Sequence, residues 1–279
     1  MEIMEIIQEA FIFPSKNLEK LAIYIVVLFV VGLLLGGGVA ITSIGYSAGQ
    51  VGYVALSAIF IILGIIAALI ISGYQLGILK SGIDHAPEAP SFDWKNDFIN
   101  GIKLLIVSIV YYIVPFIIVA IIALITNLPG QFMNIAQKAA VAPANVSAVA
   151  NGTAATSVVI SDSAAAAFTT SFAITSLVAI VLFIIFAFLL TMAESRLANT
   201  GSLGEALNIP EAFRDLGRIG YGKVIATVLL VIIIVAVISG ILGYISSYVS
   251  ILSILSIVVT PYLAFFSQRA TGLLYSDIA

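Results

Sequence analysis

Residues Gly82–Pro115, GIDHAPEAPSFDWKNDFINGIKLLIVSIVYYIVP, carry the transition from which the whole chain can be read. Asp84, His85, Glu88 and Asp93 lie in a loop broken by Pro87 and Pro90, a short amphipathic piece follows from Trp94, and from Leu104 onward the charges stop. A charged loop that gives way to an uninterrupted apolar run marks the entry of a helix into a bilayer.

Working outward, the same plan recurs. Charge-free apolar segments are predicted at Leu21–Ile44, Val51–Leu79, Leu104–Leu128, Phe172–Ala193, Val224–Gly243 and Val249–Ser267. Each is near or above the roughly 20 residues that cross a hydrocarbon core. Backbone groups in lipid must be satisfied within the segment, so all six are expected to be helices. Pro115 and Pro261 fall inside spans and predict local kinks. The composition agrees: 62% of the 279 residues are hydrophobic and 9% are charged, against about 25% charged in soluble domains. A water-soluble fold is excluded. The net charge of −3 gives no reason to expect a nucleic-acid partner. The absence of cysteine removes disulfides, thiolate metal sites and cysteine nucleophiles together.

Charge placement predicts the threading. Lys16, Lys20, Lys80, Lys95, Lys103, Arg196, Arg214, Arg218, Lys223 and Arg269 fall on one side, and Lys138 alone on the other. The positive-inside rule then makes the chain a multi-pass protein of the cell membrane with both termini cytoplasmic. Tyr46, Tyr53, Tyr244 and Tyr248 suit an outer aromatic belt and Trp94 an inner one. Met1–Phe13 carries Glu2, Glu5 and Glu9 without a base, so it reads as an inner-surface helix rather than a cleavable signal. The outer loop Pro129–Thr170 contains the sequons Asn145-Val-Ser147 and Asn151-Gly-Thr153, which makes Asn145 and Asn151 candidate glycosylation sites.

Three comparable starts precede the odd spans: Glu9-Ala10-Phe11, Glu88-Ala89-Pro90 and Glu205-Ala206-Leu207. The expected architecture is an all-α, polytopic membrane domain over residues 1–279, built as three helical hairpins, each preceded by an inner-surface amphipathic helix. The repeats would be 1–80, 81–193 and 194–279, with 129–170 as an insertion in the second. In the third linker, Ser202-Leu-Gly-Glu205 fits a capping box. Glu211, Arg214, Asp215 and Arg218 follow at helical spacing; with Trp94 they form a candidate inner-face surface for a partner, or else a solvated face laced with ion pairs.

At the central stretch, Gly73-Tyr74, Gly82, Pro90-Ser-Phe92-Asp-Trp94, Phe98, Gly101 and Tyr111-Tyr112 resemble the signature of an archaeal, methanogen-type membrane family catalogued as domain of unknown function 4013. That family is similar in plan to the membrane part of some glycerophosphodiester phosphodiesterases. The resemblance implies fold, source and membrane association; it brings no catalytic residues.

None of the six spans has Asp, Glu, Lys, Arg or His in its middle, which weighs against ion-coupled transport, proton relays and intramembrane aspartate chemistry. Gly32-xxx-Gly36, Gly45-xxx-Gly49 and Gly73-xxx-Gly77 allow close helix approach, and Gly36-Gly37-Gly38 could unwind a helix. His85 beside Asp84 could do acid–base work, and Asp84, His85, Glu88 and Asp93 could hold a metal, but their spacing fits no recognised site. Glu194 and Arg196 are expected to snorkel or pair at the inner interface. The sequence therefore predicts no enzyme, no cofactor and no metal. It predicts a scaffold or accessory subunit whose partners are membrane lipids, a membrane protein or a second copy of the chain. The alternatives are a transporter or channel for an apolar or lipid-like solute, and, third, a lipid-processing enzyme.

Overall fold

In the computed structural model residues 1–141 and 162–279 are described, and every regular element among them is helical. Asn145 and Asn151 lie outside the described residues. In chain order the elements are α1 (Ile3–Lys16), α2 (Leu18–Ala48), α3 (Val51–Ile83), α4 (Trp94–Ile125), α5 (Leu128–Val141), α6 (Asp162–Thr200), α7 (Leu203–Ala206), α8 (Ile209–Ile219), α9 (Tyr221–Tyr248), a 3-10 turn at Ser250–Leu255 and α10 (Ser256–Tyr275).

Among the described residues six helical segments are long and apolar enough to cross a membrane: Leu18–Ser47, Val51–Ile83, Trp94–Ile125, Ala165–Thr200, Tyr221–Tyr248 and Ile251–Tyr275. Their outward faces carry Ile, Leu, Val and Phe side chains that no neighbour covers, such as Phe116, Leu124, Leu177 and Ile251. Apolar exposure on this scale is what a bilayer solvates and water does not.

The chain divides into two compact units, one made of Met1–Ile109 with Phe188–Ala279 and the other of Val110–Ala187. In the first, α2 and α3 form a hairpin turned at Gly49, whose φ of +64° suits glycine. Helix α10 packs along α3, and α1 packs on α10 and α9. The core between them is aromatic: Tyr24, Tyr74 and Phe265 are buried together, with Tyr24 and Phe265 edge to face at 5.2 Å. Helix α1 buries Ile6, Ile7, Ala10 and Phe13 against its neighbours and continues through Pro14 to Lys16. In the second unit a small polar knot joins its helices. Ser171 donates to the carbonyl of Thr126 at 3.1 Å, and the hydroxyls of Thr126 and Thr175 meet at 3.3 Å. Away from water, such Ser and Thr contacts hold helices that have no hydrophobic reason to associate.

Most helix boundaries lie outside the expected ones, and α6 begins at Asp162, inside the segment expected as an outer loop; three of the differences have a plain physical reason. No separate helix precedes the third span: nothing between Trp94 and Leu104 breaks a helix, so those residues are the first turns of α4. The chain does not become irregular at Pro129, because proline is tolerated in a first turn and here opens α5 with Leu128. The last span does not stop at Ser267, because Arg269 finds its partners inside the fold and α10 runs on to Tyr275. Helices α4 and α10 run through Pro115 and Pro261, and α2 runs through Gly36-Gly37-Gly38 without unwinding.

Candidate functional site

The central stretch is strapped across the charged end of the first unit by contacts from three helices. Local chemistry starts it. Asp93 accepts from the backbone N–H of Asn96 at 3.2 Å, while its own N–H donates to Asp97 at 2.9 Å, so the first turn of α4 is capped from both directions. The backbone N–H of Asn96, then its side chain, hold the Asp93 carboxyl below its ordinary range.

The strap is then fixed residue by residue. Tyr74 of α3 donates to the Pro90 carbonyl at 3.0 Å and stacks on Phe92 with ring centroids 3.7 Å apart. The Ala89 N–H donates to Asn17, between α1 and α2, at 2.8 Å. Asn17 in turn donates to Phe13 at 2.9 Å. Gln75 donates to Tyr24 at 2.5 Å, tying α3 to α2.

Arg269 is the centre of this arrangement. It is 2% exposed, and its guanidinium donates to the carbonyls of Ser81 at 2.6 Å and Ala86 at 2.7 Å and to Glu9 at 2.5 Å. It also lies 4.4 Å from the centroid of the Phe13 ring. One buried cation therefore ties α10 to the end of α3, to the strap and to α1. Its approach depends on glycine, because a Cβ on Gly272 would stand 2.1 Å from the Leu79 carbonyl, and one on Gly82 would stand 2.8 Å from the carbonyl of Arg269. From its place in the sequence Arg269 is a topology signal alone. The missed cue is Leu273-Leu274-Tyr275, an apolar turn beyond the arginine that places the charge inside a helix rather than at its end.

A second arginine does the same work for α6. Arg196 donates to Asp215 of α8 at 2.8 Å and to Glu205 of α7 at 2.6 Å, while Tyr275 of α10 donates to the same Asp215 at 3.0 Å. Arg218 reaches the other oxygen of Asp215 at 3.3 Å. Ser202 caps α7 as the sequence predicts, accepting from the Glu205 N–H at 3.4 Å, but the Glu205 carboxylate turns to Arg196. Lys223 pairs with Asp277. Partial burial raises the Asp277 carboxyl, yet the hydrogen bonds from Lys223 and the Met1 amine prevail and hold it below its ordinary range.

The candidate partner surface is thereby divided. Trp94 is exposed and stands beside Phe92; Glu211 and Arg214 pair with each other, with Arg214 and Arg218 largely exposed. Asp215 is a correction: it is 1% exposed, because Arg196, Arg218 and Tyr275 draw its carboxylate inward, and it is unavailable to a partner. His85 sits in the turn after α3 with φ +51°, and its neighbour Asp84 pairs with Lys80 at 3.7 Å. Among the described residues no three His, Asp or Glu side chains converge as metal ligands.

Two cavities adjoin these elements. An apolar one of about 600 Å³ is lined by Ile7, Phe11 and Ile12 of α1 and Ile233, Ile234 and Val237 of α9. A polar one of about 250 Å³ lies among Leu76, Gly77 and Lys80 of α3, Asn100 of α4, and Asn199 and Gly201 at the end of α6.

A family model described as "Protein of unknown function (DUF4013)" matches residues 56–247. That range contains the Tyr74–Phe92 stack, the strap and Arg196 with its partners; Glu9 and Arg269 lie outside it. No curated protein and no solved structure matches the chain.

Proposed function

The chain belongs to the DUF4013 family, whose description names no activity, and from its own residues we infer a non-catalytic membrane scaffold or accessory subunit that binds a membrane protein or lipids. The observation that carries this reading is how the buried charges are used. Arg269 and Arg196 each join several helices through carboxylates and carbonyls, so these side chains are committed to holding an assembly rather than presented to a substrate. What faces outward at the same end is a set of exposed groups suited to docking: Trp94, Arg214 and Arg218. The charged end is cytoplasmic in this reading, with both termini on the cytoplasmic side of the cell membrane. An archaeal source belongs to the same reading, and likeness in plan to the membrane part of some glycerophosphodiester phosphodiesterases adds membrane association without chemistry.

The test is copurification. Extracted in native-lipid discs, the protein is expected to carry one stoichiometric protein partner, and Trp94→Ala with Arg214→Ala is expected to weaken its retention about tenfold or more. A purified chain that turns over a substrate unaided would sink the reading. Topology is tested separately, and the cysteine-free sequence makes it simple. Glu211→Cys is expected to react with an impermeant maleimide only after the membrane is opened, and Tyr46→Cys, at a side chain 89% exposed, from outside. The reverse pattern would invert the threading.

A second reading, a carrier for an apolar or lipid-like solute, is favoured by the apolar cavity between α1 and α9. Saturable movement of a labelled lipid across proteoliposomes would separate it from the first.

A further inference from the structure

We propose that the polar cavity among the ends of α3, α4 and α6 binds the phosphate of an anionic phospholipid headgroup. The proposal rests on the lipid-binding half of the reading above and names its ligand chemistry.

At about 250 Å³ the cavity is smaller than the roughly 300–1,000 Å³ that encloses drug-sized ligands, so its occupant is a small group. Its lining is part apolar, from Leu76, Gly77, Leu197 and Ala198, and part polar, from Lys80, Asn100 and Asn199. Asn100 and Asn199 are half-buried, and neither carboxamide has a hydrogen-bond partner among the described residues. Two amides of this kind offer four N–H donors to one oxygen-rich ligand.

The charge at the rim is positive. Lys80 is half exposed, and its pairing with Asp84 at 3.7 Å is long and open to water. Pairs of this kind contribute little, so the ammonium is free to turn to an anion. Lys103, one turn beyond Asn100, donates to the Gly201 carbonyl at 2.8 Å and brings a second ammonium to the rim. Lys80 is the charged residue in the lining and Lys103 stands beside it at Gly201, and a basic pocket between helix ends is the arrangement that takes phospholipid heads. The cavity lies near the ends of three candidate spans, Val51–Ile83, Trp94–Ile125 and Ala165–Thr200, whose exposed apolar faces offer acyl chains a way out.

The experiment is native mass spectrometry of the detergent-purified full chain with dioleoyl-phosphatidylglycerol, with dioleoyl-phosphatidylcholine and with inorganic phosphate. The wild type is expected to retain phosphatidylglycerol in preference to phosphatidylcholine. Lys80→Gln is expected to weaken that retention about fivefold, Lys80→Arg to keep it, and Asn199→Leu to abolish the preference by removing a donor and filling the space. Lys80 is exposed enough that its variants keep the fold, which a thermal unfolding scan checks. Inorganic phosphate that binds alone and displaces the lipid would keep the phosphate site and assign it to a soluble anion. Equal retention of the two lipids, or retention unchanged in both Lys80→Gln and Asn199→Leu, overturns the proposal. A copurifying protein partner without a phosphatidylglycerol preference would remove the pocket and leave the accessory reading standing; the preference without a partner would keep the pocket and only the lipid-binding half of that reading.

Discussion

Arg269→Leu is expected to lower the stability of the detergent-solubilised protein by about 3–5 kcal/mol, the range for breaking a buried charge cluster by removing one partner. The loss has three parts. The carbonyls of Ser81 and Ala86 lose the guanidinium, Glu9 loses its counter-charge, and the Phe13 ring loses the cation above it. Glu9 is 38% exposed, so water takes over much of its share. Most of the loss falls at the inner end of the cluster, where the part-buried Ala86 carbonyl loses its donor, the Ser81 carbonyl is left with the Ala86 N–H alone at 2.9 Å, and the tie from α10 to α3 and the strap is cut. Glu9→Gln is therefore expected to cost about 1 kcal/mol, far less than the arginine change, and the double variant to cost less than the sum. In a thermal scan the Arg269→Leu midpoint should fall by about 10 °C. A midpoint within a degree or so of wild type would mean that the strap is held by Tyr74 and Asn17 without the arginine.

This arginine also marks the limit of what the sequence could disclose. The six spans were legible because each is a long run without charge, a signal that survives any detail of packing. Ser202 was legible as a cap because capping is local and needs only its own helix. Arg269 and Asp215 were not, since their partners come from 260 and 60 residues away, and no periodicity reports a contact at such distance. The three Glu-Ala pairs show both sides of this. Ala10, Ala89 and Ala206 are all buried, at 0%, 4% and 0% exposure. The carboxylates diverge: Glu9 meets Arg269, Glu205 meets Arg196, and Glu88 stays exposed. The three pairs share a buried methyl; which carboxylate has a cation opposite depends on where another helix ends. Likewise the glycine spacings marked places where helices could touch without saying which ones do.

Gly73→Ala and Gly101→Ala are expected to separate those cases, with a large loss at each. A Cβ on Gly73 would stand 1.8 Å from the Asp97 carbonyl oxygen, and one on Gly101 would stand 1.9 Å from the Leu69 carbonyl oxygen. Both obstacles are backbone, so no rotamer relieves them and α3 and α4 must move apart by about an ångström or more. Overpacking of this kind costs about 1–3 kcal/mol, and the upper end is expected because the opened seam also pulls on the Tyr74–Phe92 stack. The two changes act on one seam, so the second should cost much less once the first has opened it. Gly32→Ala and Gly36→Ala are the control, since a Cβ at either position meets nothing within 4 Å. There the better helix propensity of alanine, about 0.5–1 kcal/mol, should leave stability unchanged or raised. Thermal midpoints of the four single variants and the Gly73/Gly101 double decide the matter. If Gly73→Ala unfolds no earlier than Gly32→Ala, close approach of α3 to α4 is not what fixes the start of α4, and the Asp93–Asp97 cap with the strap contacts of Tyr74 and Asn17 must fix it.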